Sequence, residues 1–117
     1  MQPEAAKYLW DALTASERVQ RFVKGRTFDE YLGDEILRSA VERQFGIVGE
    51  ALSQLRKLTP SVAEQIEALP RIVDFRNVLI HGYATIDNTL VWGFVDTHLS
   101  VLVAQLKGLL STATPPQ

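Results

Sequence analysis

The chain predicts an all-α protein: an up-and-down antiparallel helical bundle of four main helices plus one or two short ones. Three observations carry this. Apolar residues recur at helical spacing almost from end to end, no segment alternates as a half-buried strand would, and the connections between periodic segments are short. With 117 residues, 46% of them apolar, the chain is long enough for one core without metal or disulfide support. Residues 1–112 are therefore read as a single domain, and 113–117 as a C-terminal tail expected to fray.

The elements follow in order. Ala5, Tyr8, Leu9, Ala12, Leu13, Val19 and Val23 mark a first helix that should stop near Gly25. Thr27 and Glu30 have capping-box spacing, which predicts a short turn of helix to about Leu32. Asp34 is placed to cap a long helix reaching about Lys57, with Leu37, Val41, Phe45, Val48, Leu52 and Leu55 inward and Pro60 beyond its end. Ser61 and Glu64 repeat the capping-box spacing before a short helix ending near Pro70. Pro70 then suits the first turn of a helix that ends around Gly82. The stretch ATIDN reads as a turn. A last continuous helix is predicted from about Thr89 to Leu110, with Val91, Val95, Leu99, Leu102, Leu106 and Leu109 inward.

Composition narrows the function. The absence of cysteine excludes a disulfide framework and a cysteine zinc site, and two histidines form no obvious metal cluster; the numerous Asp and Glu leave a hard-cation site open by composition, and no cofactor is expected. No stretch has the length of a membrane span, and the N-terminus lacks the apolar run of a signal peptide. A cytoplasmic protein is expected. The net charge of −2, from 12 basic and 14 acidic side chains, argues against an indiscriminate polyanion binder; a groove that gathers positive charge locally remains open.

The segment RNVLIHGY, Arg76 to Tyr83, departs from the plain helical pattern. With Ile72 at zero on a wheel of about 100° per residue, Arg76 falls at about 40°, inside the face formed by Ile72, Val73, Phe75, Leu79 and Ile80. Asp74, Asn77 and His81 gather on the opposite side. A guanidinium stays charged, so Arg76 must reach solvent, pair with a carboxylate inside the bundle, or face a ligand or second chain. A structural ion pair and an anion site are both open from this geometry. Asn77 and His81, four residues apart, can hydrogen-bond through amide and imidazole. A histidine at a helix C-terminus is also simply favoured by the dipole. Arg76 and His81 project about 140° apart, so they converge only if the helix end distorts or a symmetric partner completes the site.

Arg76, Asn77, His81 and Tyr83 form an R-x4-H-x-Y motif that resembles the motif of HEPN domains, and the chain as a whole resembles the HepT-type toxins of toxin–antitoxin pairs. The likeness spans nearly the whole chain: TFDEYLGDE, RQFGIVGEA, FRNVLIHGYATID and LVWGFVDTHL each resemble a family segment. Two departures are Gly82, where such sequences often carry Glu, and Gly46, where many carry a larger polar residue. The resemblance implies a metal-independent endoribonuclease acting as a homodimer. Arg76 would stabilise charge on the scissile phosphate, His81 would be the general base or acid, and Asn77 would position these groups. It also implies an RNA substrate and a cognate minimal nucleotidyltransferase antitoxin that transfers AMP to Tyr83. The alternative, from another class, is a non-catalytic substrate- or nucleotide-binding subunit of such a nucleotidyltransferase, with the motif mainly structural.

The remaining features have plainer readings. His98 lies in the last apolar stripe and reads as a core or interface histidine satisfied by a neighbour; Gln44 has a hydrogen-bonding role at most. Gly46 and Gly49 lie away from the main stripe of their helix, where they either permit close approach of another helix or are tolerated. Trp10 and Trp92 are expected in the core or an interface. Arg18, Arg21, Lys24 and Arg26 read as a solvated basic face, with RNA or antitoxin contact as the alternative.

Overall fold

The computed structural model describes residues 1–81 and 87–113, and for residues 78–81 and 113 the backbone alone. The described residues form seven helices: α1 Pro3–Val23, α2 Phe28–Gly33, α3 Glu35–Leu58, α4 Pro60–Ala63, α5 Leu69–His81, α6 Asn88–Thr97 and α7 Leu99–Ala113, with no strand among them. The all-α, bundle-like prediction is met. The expected turn at ATIDN falls largely outside the described residues, and so does most of the expected tail.

Local signals start and stop the first three helices as their residues require. Pro3 opens α1, where a missing N–H costs nothing. Gly25, with φ of 74°, reverses the chain after it. The Thr27 hydroxyl accepts from the Glu30 N–H and the Glu30 carboxylate accepts from the Thr27 N–H, each at 3.1 Å, closing the capping box on α2. Asp34 caps α3 by accepting from the Leu37 N–H at 3.0 Å. The second predicted capping box does not form. Pro60 sets the helical φ one residue before Ser61, so α4 starts at Pro60 behind Thr59, which makes no side-chain cap bond. The loop that follows is fastened from elsewhere: the Glu67 N–H donates to the Gln105 amide oxygen of α7 at 3.2 Å.

The last helix is not continuous. It breaks at His98 into α6 and α7, which meet at 53°. His98 has φ of −116°, off the helical value, yet its N–H still donates to Phe94 and its carbonyl accepts from Leu102, both at 2.9 Å. One apolar stripe therefore runs through the bend, which is why periodicity alone reads a single helix.

The predicted stripe of α3 is buried throughout, and the long helices close around it: α1 lies on α3 and α7, α5 on α3, and α6 on α7. The shortest dimension is 20 Å, about two helix diameters, so the molecule is two layers thick with one core between. Phe45 of α3 stands at its centre, with ring centroids 5.5 Å from Phe75 of α5 and 5.4 Å from Phe94 of α6. Trp92 meets Tyr31 at 5.1 Å and so ties α2 to α6, as a core tryptophan should. Trp10 does the opposite: it is 61% exposed on α1, so of the two expected places, core or interface, the core is ruled out. No single helix among the described residues is long and apolar enough to cross a membrane.

Tyr31 is fully buried, and its hydroxyl has no hydrogen-bond partner. Burial, reinforced by Glu42 and opposed by Arg38, pushes the phenol up to about 12. Removing an unpaired buried hydroxyl relieves its desolvation, so Tyr31→Phe should leave the unfolding free energy unchanged or raise it by about 1 kcal/mol in urea denaturation at pH 7. Because the folded value is raised, this phenol's contribution is fully present below its unfolded value of about 10 and is lost as pH rises through 12. The wild type should lose stability relative to Tyr31→Phe across that alkaline window.

Candidate functional site

The site begins with a missing side chain. Gly49 lies inside α3, where glycine costs about 1 kcal/mol against alanine, and it is buried against α5. A Cβ there would overlap the Arg76 Cβ and lie 2.8 Å from its Cγ and 3.0 Å from the Ile72 carbonyl oxygen. The gap lets the stem of Arg76 lie flat on α3. Gly49 thus serves a close approach within one chain, although the sequence places it off the main stripe; at Gly46 a Cβ would meet open space.

The next residue of α3 receives the charge. Arg76 Nη2 donates to Glu50 Oε2, and Arg76 Nη1 donates to Asn77 Oδ1 at 2.9 Å. The other carboxylate oxygen, Glu50 Oε1, accepts from Gln54 Nε2 at 3.1 Å. Arg76 Nε is buried and has no partner. The Arg76 side chain is 24% exposed and that of Glu50 46%, so the pair stands at the lip of the bundle rather than in its core.

Of the predicted site residues, the structure brings Arg76 and Asn77 together. The wheel separates them, but a long guanidinium can turn back to the amide of the next residue, and it does. His81 is the last residue of α5, and its side chain lies outside the described residues, as do Gly82 and Tyr83. The expected Asn77–His81 bond and the convergence of Arg76 with His81 lie there too. Glu50 was not singled out by the sequence; the available signal was an acid directly after a helix-interior glycine in RQFGIVGEA.

His98 has the neighbour expected of it: Arg71 Nη1 lies 2.8 Å from its Nε2, and its ring centroid is 5.3 Å from that of Phe94. Gln44 is partly buried with its amide oxygen unpaired. Arg18, Arg21, Lys24 and Arg26 are exposed, with Arg26 3.5 Å from Asp34, which agrees with a solvated basic face.

A family model described as ribonuclease HepT-like matches residues 12–109, a span that includes the Gly49–Glu50 and Arg76–Asn77 contacts. The chain belongs to the HepT-like ribonuclease family. Among its relatives, "Putative RNase MJ1380" of Methanocaldococcus jannaschii is 33% identical over 75% of this chain and 80% of its own length. "Putative RNase TTE0752" of Caldanaerobacter subterraneus subsp. tengcongensis is 30% identical over 88% and 91%, and "Probable ribonuclease HepT" of Thermococcus cleftensis is 26% identical over 87% and 92%. No solved structure matches the chain significantly. In this HepT-like chain the motif arginine is thus held by one acid, one amide and the absence of a side chain.

Two substitutions separate these contributions. Gly49→Ala should overpack the α3–α5 contact and cost about 1–3 kcal/mol in urea unfolding. Glu50→Gln keeps the volume and removes a half-exposed charge partner, so its cost should stay within about 1 kcal/mol.

Proposed function

We propose that the chain is a metal-independent endoribonuclease toxin, with Arg76, Asn77 and His81 as its catalytic residues. The observation that carries the reading is the state of Arg76. It is an arginine on the buried face of α5, held at the lip of the bundle by Glu50 and Asn77, with its Nε unpaired. That is an oriented guanidinium beside solvent, and a phosphate oxygen would take the place of the Glu50 carboxylate on Nη2.

In this reading His81 takes the proton of a ribose 2′-hydroxyl, and the 2′-oxygen attacks the adjacent phosphorus. The bond to the 5′-oxygen breaks, and that oxygen takes a proton as it leaves. The products are a 2′,3′-cyclic phosphate and a 5′-hydroxyl. Arg76 offsets the negative charge gathering on the phosphate oxygens, and Asn77 orients the guanidinium through its amide oxygen. Two copies of the chain would pair to complete the cleft. A cognate minimal nucleotidyltransferase would restrain the toxin by moving AMP onto Tyr83, placing bulk and negative charge where RNA must enter.

The ion pair itself favours a second reading. If Arg76 serves mainly to fasten α5 to Glu50, the chain is a non-catalytic binding subunit of its nucleotidyltransferase. Cleavage of RNA in EDTA by the purified wild type, with loss of about 100-fold or more in folded Arg76→Ala and His81→Ala, is the expected result. Folded variants that cleave as well as wild type would remove the catalytic assignment. No cleavage by wild type, with Tyr83 unmodified by mass spectrometry, would favour the binding subunit. Co-expression with the nucleotidyltransferase should add the mass of one AMP to wild type and none to Tyr83→Phe.

A further inference from the structure

Residues of α5 and α6 line an open groove of about 760 Å³ that the proposed chemistry does not use. Arg71 and Asp74 line it from α5, Leu90, Gly93 and Phe94 from α6, and His98 from the break after α6. From these contacts we infer that the groove is a base-reading subsite for an unpaired guanine of the RNA. The inference rests on the ribonuclease reading, for it takes the groove as the seat of a base of the substrate RNA.

Charge decides against a phosphate here. The groove carries one guanidinium, Arg71, against two carboxylates, Asp74 and Asp87. Asp74 forms no ion pair among the described residues that would offset it. A neutral, planar group that both donates and accepts fits better. Guanine presents an N1–H and an amino group side by side, which a carboxylate accepts as a fork, and O6 with N7, which a guanidinium donates to as a fork. Arg71 is already held in place. Its Nη1 lies 2.8 Å from His98 Nε2, and because arginine only donates, that nitrogen is the acceptor and the ring proton sits on Nδ1.

The floor suits a base as well. Leu90 is 63% exposed, and Gly93 offers bare backbone with nothing within 4 Å of where a Cβ would stand. Unpaired RNA bases are commonly read in this way, on apolar or guanidinium surfaces with edge hydrogen bonds, and the volume is ample for one nucleoside. On the helical wheel of α5, Asp74 groups with Asn77 and His81 and lies roughly 160° from Arg76.

The test titrates 5′-GMP, 5′-AMP, 5′-CMP and 5′-UMP into the full chain in EDTA, following backbone amides by NMR. The four share a phosphate, so a difference between them reports the base. GMP should shift the amides of Leu90, Gly93 and Thr97 at a concentration at least about tenfold below AMP, the discrimination of one good bidentate contact. Gly93→Leu fills the groove from a position with open space; it should abolish the shifts without lowering the thermal midpoint. Asp74→Asn should remove the preference for GMP over AMP, and it decides the matter should Gly93→Leu fail to fold. Equal shifts from all four nucleotides, or none at these amides, overturn the subsite. Broadening of the same amides with protein concentration alone would show that a second copy covers the groove and would overturn it as well. RNA cleavage measured in parallel keeps the readings apart: cleavage without GMP binding removes the subsite and leaves the ribonuclease, while GMP binding without cleavage does the reverse.

Discussion

The close approach of α3 and α5 at Gly49 is the contact on which the site depends. Arg76 belongs to a helical face that is otherwise apolar, and in a regular bundle a side chain of the opposing helix would occupy its place. Removing that side chain at Gly49 leaves a trough for the methylene stem, and the guanidinium emerges at the lip. The stem is buried as hydrocarbon while the charged head keeps its partners and part of its water. The same geometry explains why the acid sits immediately after the glycine. One residue farther along α3 brings a carboxylate beside the trough rather than into it, within reach of Nη2.

Phe45 carries that local arrangement into the rest of the bundle. It touches Phe75, the residue before Arg76, and Phe94, whose ring also meets His98 at the break between α6 and α7. Arg71 completes the circuit by reaching from α5 to His98. The helix that bears the motif is thus packed against α3 on one side and bonded to the α6–α7 bend on the other. Phe45 to Phe75 and Phe94, and Arg71 to His98, are contacts between different helices, and they tie α5 to α6 through the core.

The charge distribution fits a site whose strength is local. The chain is net acidic, and four of its basic residues near the end of α1 are spread over solvent. Arg76 is the basic group set into the α3–α5 contact, and Glu50 offsets it. Any anion arriving there competes with the Glu50 carboxylate for Nη2, since Nη1 is held by Asn77 and Nε is buried. A half-exposed pair of this kind contributes little to stability. Its value to the molecule lies in orientation: a long, flexible side chain is held in one conformation at the surface.

The sequence by itself determined the first three helices, the caps at Thr27 and Asp34 and the inward face of α3, because these depend on residues one to four positions apart. Thr27 with Glu30, Asp34 with Leu37, Gly25 and the stripe from Leu37 to Leu55 are all short-range facts, and they stand in the structure as read. It also marked Arg76 and Asn77 as out of place in their setting. Three things were settled only by tertiary structure. The partner of Arg76 is 26 residues away in the chain, and the glycine before Glu50 does not say which helix that acid will meet. The break at His98 is hidden because an apolar stripe can run through a bend, and Arg71, which reaches its ring, lies on another helix. Trp10 is exposed although its neighbours are buried, since which face of α1 meets α3 and α7 depends on how the helices pack together. Local spacing fixes what a segment becomes and which residues it turns inward. Which of those residues meet is fixed only when distant segments share one core, and the candidate site is made of such meetings.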